Sequence, residues 1–220
     1  MRPYDRVVWR FLAMFCGLLM AGAIVLDTLV FGVMRDMARG YITSFDMAII
    51  TAVRLHTTST LSQAMVVVTE FGAMPFYVVF GGIITVWLCI KKQIAIGIML
   101  VVCSGGSGLM TLLLKSIVMR IRPDMMPVIV ETGYSFPSGH SVTAVCFYGY
   151  LAYLCYRYAS SNMVRYSTLV VCIALILSIG ISRIYLGVHY PTDVVGGYIG
   201  GMMWLSLSIL LLDYIEKKLS

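Results

Sequence analysis

The chain has 220 residues, of which 60% are hydrophobic and 12% charged, and its formal net charge is +6. A soluble domain carries about 25% charged residues, so the composition excludes an ordinary soluble globular protein. The positive balance fits basic residues that flank membrane helices and meet anionic lipid. No basic run with interleaved aromatics marks a nucleic-acid surface.

In chain order, apolar spans occur at about 8–33, 74–90, 94–116, 140–157, 166–183 and 192–212. Each is long enough to cross a hydrocarbon core of about 30 Å, some with tilt or flanking help. Unbroken apolar runs favour helices over the alternation of a barrel. The predicted fold class is all-α, a polytopic membrane helical bundle of six transmembrane helices forming a single domain over 1–220. Arg2, Arg6, Arg10 and Ala21-Gly22-Ala23 imitate a signal peptide, but the apolar run continues to about Val33. That continuation reads as a retained first helix.

The stretch 35–73 is not a clear span. It mixes Arg35, Asp36, Arg39, Asp46, Arg54, His56 and Glu70 with apolar residues. Phe45, Ile49, Ala52, Val53 and His56 fall near helical spacing, so amphipathic interfacial helices are expected after the first span. An ordered packing loop is the alternative. Gly105, Gly106 and Gly108, and Gly196-Gly197 with Gly200-Gly201, read as close helix packing. Cys16, Cys89, Cys103, Cys146, Cys155 and Cys172 sit in or beside apolar spans with no Cys-x-x-Cys pair, so they read as packing residues.

Charge sets the expected orientation. With three cations of the motifs below set aside, nine Lys and Arg residues fall on the side of the termini and four on the other. The positive-inside rule then puts both termini in the cytoplasm. Three chemically suggestive strings fall together on the extracytoplasmic side. They are Lys115…Arg122-Pro123, Pro137-Ser138-Gly139-His140, and Ser182-Arg183…His189…Asp193.

Cations and histidines near a bilayer are costly, which marks them as functional. Lys115 and Arg122 are seven apart, which returns a helix to nearly the same face, and Pro123 discourages its continuation. Together they suit a dianion. Arg120, between them, is expected on another face touching headgroups. Ser138 is a candidate N-cap, and a helix N-terminus at Gly139 and His140 offers unpaired N–H groups to an anion. Arg183 offers a bidentate fork. Asp193 lies four residues after His189 and can accept its ring N–H, leaving the other nitrogen as a nucleophile. The bland readings are snorkelling cations, a structural histidine and helix-dipole pairing by Asp193. Two histidines and an aspartate could ligate a metal, but three cations aimed at the same place would repel it.

The pattern Lys-x6-Arg-Pro, Pro-Ser-Gly-His, Ser-Arg-x5-His-x3-Asp resembles the type 2 phosphatidic acid phosphatase family, which includes vanadium haloperoxidases, bacterial acid phosphatases and glucose-6-phosphatase. All eleven fixed residues are present, within 115–193. The resemblance implies a metal-independent phosphatase without a cofactor. His189 would attack phosphorus and form a phosphohistidine, oriented by Asp193. His140 would protonate the leaving oxygen and then activate water. Lys115, Arg122, Ser138, Gly139 and Arg183 would bind the substrate phosphate. The membrane spans favour a lipid phosphatase of a cell membrane over the soluble branches. Undecaprenyl diphosphate is the expected substrate of an outward-facing site, with phosphatidylglycerophosphate or phosphatidic acid as alternatives. A lipid phosphotransferase and a non-enzymatic lipid binder are the competing classes, and oligomeric state is not legible. Asp124 and Glu131 are expected to disfavour highly anionic substrates.

Overall fold

The computed structural model describes residues 24, 27–28, 30–35, 44–124 and 127–219. Most of the first expected span, the signal-like residues 1–23 and Cys16 lie outside them; the described residues between 24 and 35 are helical. All regular structure among the described residues is helical, as the patterning predicts. The helices are α1 (Ser44–Arg54), α2 (Ser59–Glu70), α3 (Met74–Ile90), α4 (Ile94–Val118), α5 (Gly139–Tyr158), α6 (Asn162–Tyr185) and α7 (Pro191–Leu219).

By length and apolarity, α4, α6 and α7 can each cross a membrane. A fourth crossing is possible if α2 and α3 together form one span bent by 44°. The expected count of six is therefore not reached among the described residues. The sequence also places an interfacial segment where the structure has α1 and a helix, α2, that runs directly into α3. The side-chain oxygen of Thr58 caps α2 by accepting from the Leu61 amide at 3.3 Å, and Pro75 opens α3, where its missing N–H costs nothing.

Helix α5 explains part of the shortfall. It packs against α4, α6 and α7, and buries Val142, Ala144, Val145, Cys146, Phe147, Tyr148, Tyr150 and Ala152. A helix shielded from lipid need not be uniformly apolar, provided its polar groups are bonded. Its buried tyrosines meet that condition. Tyr148 donates to the Phe71 carbonyl at 2.8 Å and Tyr150 to the Ile96 carbonyl at 3.0 Å.

Close approach of α7 to α5 depends on glycine. A Cβ at Gly197 would lie 2.8 Å from Ser141 Cβ and 2.9 Å from the Ser138 carbonyl; one at Gly201 would lie 2.8 Å from the Val142 carbonyl. The small residues thus let the N-terminal turns of both helices meet, which is the packing role expected for them. Of Gly105, Gly106 and Gly108 only Gly106 is used this way, against the Trp204 ring; Gly105 and Gly108 face open space, contrary to expectation. The described cysteines form no disulfide.

Candidate active site

Alternating helix direction brings four termini together at one end of the bundle. Lys115 lies in the last turn of α4, His140 in the first turn of α5, Arg183 in the last turn of α6 and Asp193 in the first turn of α7. The non-helical segments 119–124 and 186–190 supply Arg122 and His189.

The route by which Arg122 arrives differs from the sequence argument. Helix α4 stops at Val118, where Met119 takes a left-handed conformation with φ 51°. Lys115 and Arg122 therefore do not share a helical face. Arg122 is instead fixed by carbonyls, donating to Gly133 at 3.0 Å, Thr132 at 3.2 Å and Val188 at 2.9 Å. The second loop turns at Gly187, whose φ of +77° is a conformation that favours glycine. That turn presents His189 directly after Val188.

His189 is buried, and its two ring nitrogens have distinct partners. Nδ1 lies 3.3 Å from Asp193 Oδ2, and Nε2 lies 3.2 Å from a terminal nitrogen of Arg122. A guanidinium only donates, so Nε2 accepts and Nδ1 carries the proton given to Asp193. This is the tautomer that a nucleophilic Nε2 requires. Burial, followed by the nearby Arg183 and Arg122 charges, pushes the His189 pKa down to about 3 against the pull of Asp193, so the ring is neutral at physiological pH.

Arg183 is fully buried. It donates to Thr69 Oγ1 at 2.7 Å and pairs closely with Glu131 Oε1. Its Nε is buried without a hydrogen-bond partner among the described residues. The other oxygen of Glu131 meets Arg122 at 3.0 Å. One carboxylate thus bridges the two arginines, a role that goes beyond the electrostatic disfavour expected of Glu131. Lys115 is within electrostatic range of Arg122, Asp193 and Arg183, and His140 within range of Glu70, Lys115 and Arg122. The His140 ring also lies against Gly72, where a Cβ would come within 3.1 Å of it.

Ser138 is the α5 N-cap, but its side chain makes no capping bond. Its hydroxyl instead accepts from Ser141 Oγ at 3.1 Å, and its amide donates to the Asp193 carbonyl at 3.0 Å. That amide bond ties the α5 N-terminus to α7. Gly139 begins the helix, where the first-turn amides lack intrahelical acceptors.

Arg120 departs from the expectation that it touches headgroups. It is buried, donating to Asp193 Oδ1 at 2.7 Å, Thr192 Oγ1 at 2.7 Å and Asp46 Oδ2 at 2.8 Å. Its guanidinium also lies 4.0 Å from the Tyr190 ring centroid. Burial alone would lower its pKa, but the Asp193 and Asp46 carboxylates outweigh it and hold the charge firmly. Removing one member of such a buried pair costs about 3–5 kcal/mol. Among the described residues no group of three His, Cys, Asp or Glu side chains is arranged to hold a metal ion.

Apolar helices bring cations and a hydrogen-bonded His–Asp pair together at one end of the bundle, an arrangement chemically suited to a phosphate group. The chain belongs to the PAP2 superfamily, which it matches over residues 94–217, and it is a phosphatase of the membrane lipid branch. It is 34% identical to phosphatidylglycerophosphatase B of Bacillus subtilis (strain 168) over 176 residues, 79% of this chain and 85% of that protein. It is 37% identical to lipid A 1-phosphatase of Rhizobium johnstonii over 111 residues, 46% of this chain and 41% of that protein. Its fold resembles the crystal structure of a transmembrane PAP2-type phosphatidylglycerolphosphate phosphatase from Bacillus subtilis, with TM-score 0.80 and 27% identity, covering 92% of this chain and 97% of that one.

Proposed function

We propose that this protein hydrolyses the phosphate monoester of phosphatidylglycerophosphate through a phosphohistidine, without a metal, at the extracytoplasmic membrane face. The observation that carries the chemical part is the Glu131 carboxylate held between Arg122 and Arg183, with His189 Nε2 beside Arg122. An anion already sits where a phosphate would be gripped. The likeness in sequence and in fold to phosphatidylglycerophosphate phosphatase of Bacillus subtilis supports this lipid over undecaprenyl diphosphate, and the distribution of Lys and Arg supports the face.

In this reading an incoming phosphate displaces Glu131 and takes the N–H groups of Arg122 and Arg183. Its oxygens also satisfy the unpartnered Arg183 Nε, with Lys115 and the α5 N-terminal amides at Gly139 beyond. Ser138 shapes that terminus. The phosphate draws Arg122 off His189 Nε2, which attacks phosphorus as the bond to the lipid oxygen breaks. His140, in its imidazolium form beside the bound phosphate dianion, gives that oxygen a proton. The developing imidazolium is held by Asp193 through Nδ1–H. His140, now a base, takes a proton from water, whose oxygen attacks phosphorus and breaks the P–N bond. The cations stabilise charge on the transferring group, as a metal would.

Displacement makes Glu131 a competitor of the phosphate. Glu131→Gln keeps the shape and removes the charge, so inorganic phosphate should inhibit the variant about three- to tenfold more tightly. Unchanged or weaker inhibition would contradict the displacement.

The substrate is tested by phosphate release from purified protein in detergent with excess chelator, comparing phosphatidylglycerophosphate with undecaprenyl diphosphate. The expected result is faster turnover of phosphatidylglycerophosphate that chelator does not diminish. Preference for the diphosphate would reassign the protein to carrier-lipid recycling. Loss in chelator, restored by a divalent cation, would overturn the metal-free chemistry.

A further inference from the structure

Asp46 lies outside the three motif strings and Arg120 is not one of their fixed residues, yet both are buried at the His189–Asp193 pair. Asp46 comes from α1, 146 residues before the turn it caps. Its Oδ1 accepts from the Thr192 amide at 2.9 Å and its Oδ2 from the Thr192 hydroxyl at 2.7 Å. A distant carboxylate thus serves the α7 N-terminus, where negative charge is favoured. Arg120 then links Asp46 Oδ2 to Asp193 Oδ1, while Asp193 Oδ2 faces His189 Nδ1 and accepts from the Tyr190 amide at 2.9 Å.

We propose that Asp46 and Arg120 are positioning residues, a buried Asp46–Arg120–Asp193–His189 chain that fixes Asp193 against the imidazole and preserves its charge for the phosphoryl-transfer step. The inference rests on His189 being the nucleophile. Arg120 paired with Asp193 alone would cancel that carboxylate's charge. Asp46 on another nitrogen of the same guanidinium competes for it, so Asp193 keeps part of its negative charge beside the ring. When His189 Nε2 bonds phosphorus, the imidazole becomes cationic and that charge stabilises it. The geometry also holds direction: with Oδ1 on Arg120, the other carboxylate oxygen is left for Nδ1–H. None of these contacts touches the place where phosphate binds. The chain should therefore act on the rate of transfer and not on grip.

The test measures kcat, KM and inhibition by inorganic phosphate for wild type, Asp46→Asn, Arg120→Lys and His189→Ala, each purified in detergent and shown folded. Asp46→Asn should lower kcat about 10- to 100-fold and slow phosphoenzyme formation in a single turnover. KM and phosphate inhibition should stay within about twofold. Arg120→Lys keeps the buried charge but loses the fork, and should show the same split. If Asp46→Asn does not fold, Arg120→Lys decides by the same criterion. Wild-type kcat, or parallel loss of kcat and phosphate-binding sites with the remaining sites turning over normally, would overturn the proposal. His189→Ala separates the two claims: its inactivity beside unaffected Asp46→Asn and Arg120→Lys sinks only the positioning chain, whereas its activity sinks the nucleophile assignment.

Discussion

His189→Ala should lower kcat by at least about 10⁴-fold while a non-hydrolysable lipid phosphonate still binds. The His189 side chain offers Nε2 to the place between Arg122 and Arg183, and its other nitrogen is committed to Asp193. No other described side chain combines an unprotonated nitrogen with a direct contact to Arg122. Binding depends on the cations, which the substitution leaves in place. The ring is already neutral in the free enzyme, so its loss removes no charge from the resting site. Turnover assays and phosphonate titration on the same preparation check both halves. Near-normal turnover would remove the nucleophile from the account.

Arg183→Ala should cost about 10²–10³-fold in kcat and weaken phosphate inhibition as well. Arg183 is buried between Thr69 and Glu131, with a further N–H unpaired among the described residues. Its charge is therefore strong and preorganised, and water cannot replace it. Removing it also leaves Thr69 Oγ1 and one oxygen of Glu131 without this donor, so some loss of stability accompanies the catalytic defect. Arg183→Lys should recover little, because a single ammonium cannot span Thr69 and a phosphate as the fork does. A comparison of kcat, phosphate inhibition and thermal unfolding among the three proteins separates these effects. An active Arg183→Ala would mean that the phosphate binds elsewhere.

The sequence made the motif residues legible because their spacing is local. His189 and Asp193 are four apart, and Pro191 marks the start of α7 between them, as found. The last five expected spans coincide in position with helices α3–α7, although only α4, α6 and α7 are each long and apolar enough to cross a membrane by themselves. What the sequence hid depends on contacts between distant segments. Arg120 looks like one more interfacial cation until α1 and α7 deliver two carboxylates to it, 74 and 73 residues away. Asp46 looks like the polar face of an amphipathic helix for the same reason. Glu131 reads in the sequence only as a nearby charge, since nothing local says that one carboxylate can bridge Arg122 and Arg183. Met119 shows a different limit. Its left-handed turn ends α4 four residues before Pro123, and no glycine or asparagine announces it.

The step on which the proposed chemistry turns is a covalent phosphate on His189. The most direct measurement mixes purified protein with phosphatidylglycerophosphate, quenches in alkali within the first turnover, and maps phosphate on the peptides by mass spectrometry. A phosphorylated peptide containing His189, formed and lost at rates consistent with turnover and missing in His189→Ala, is the expected result. Phosphate on a different residue, or phosphate release in the first turnover with no phosphorylated protein, would contradict it.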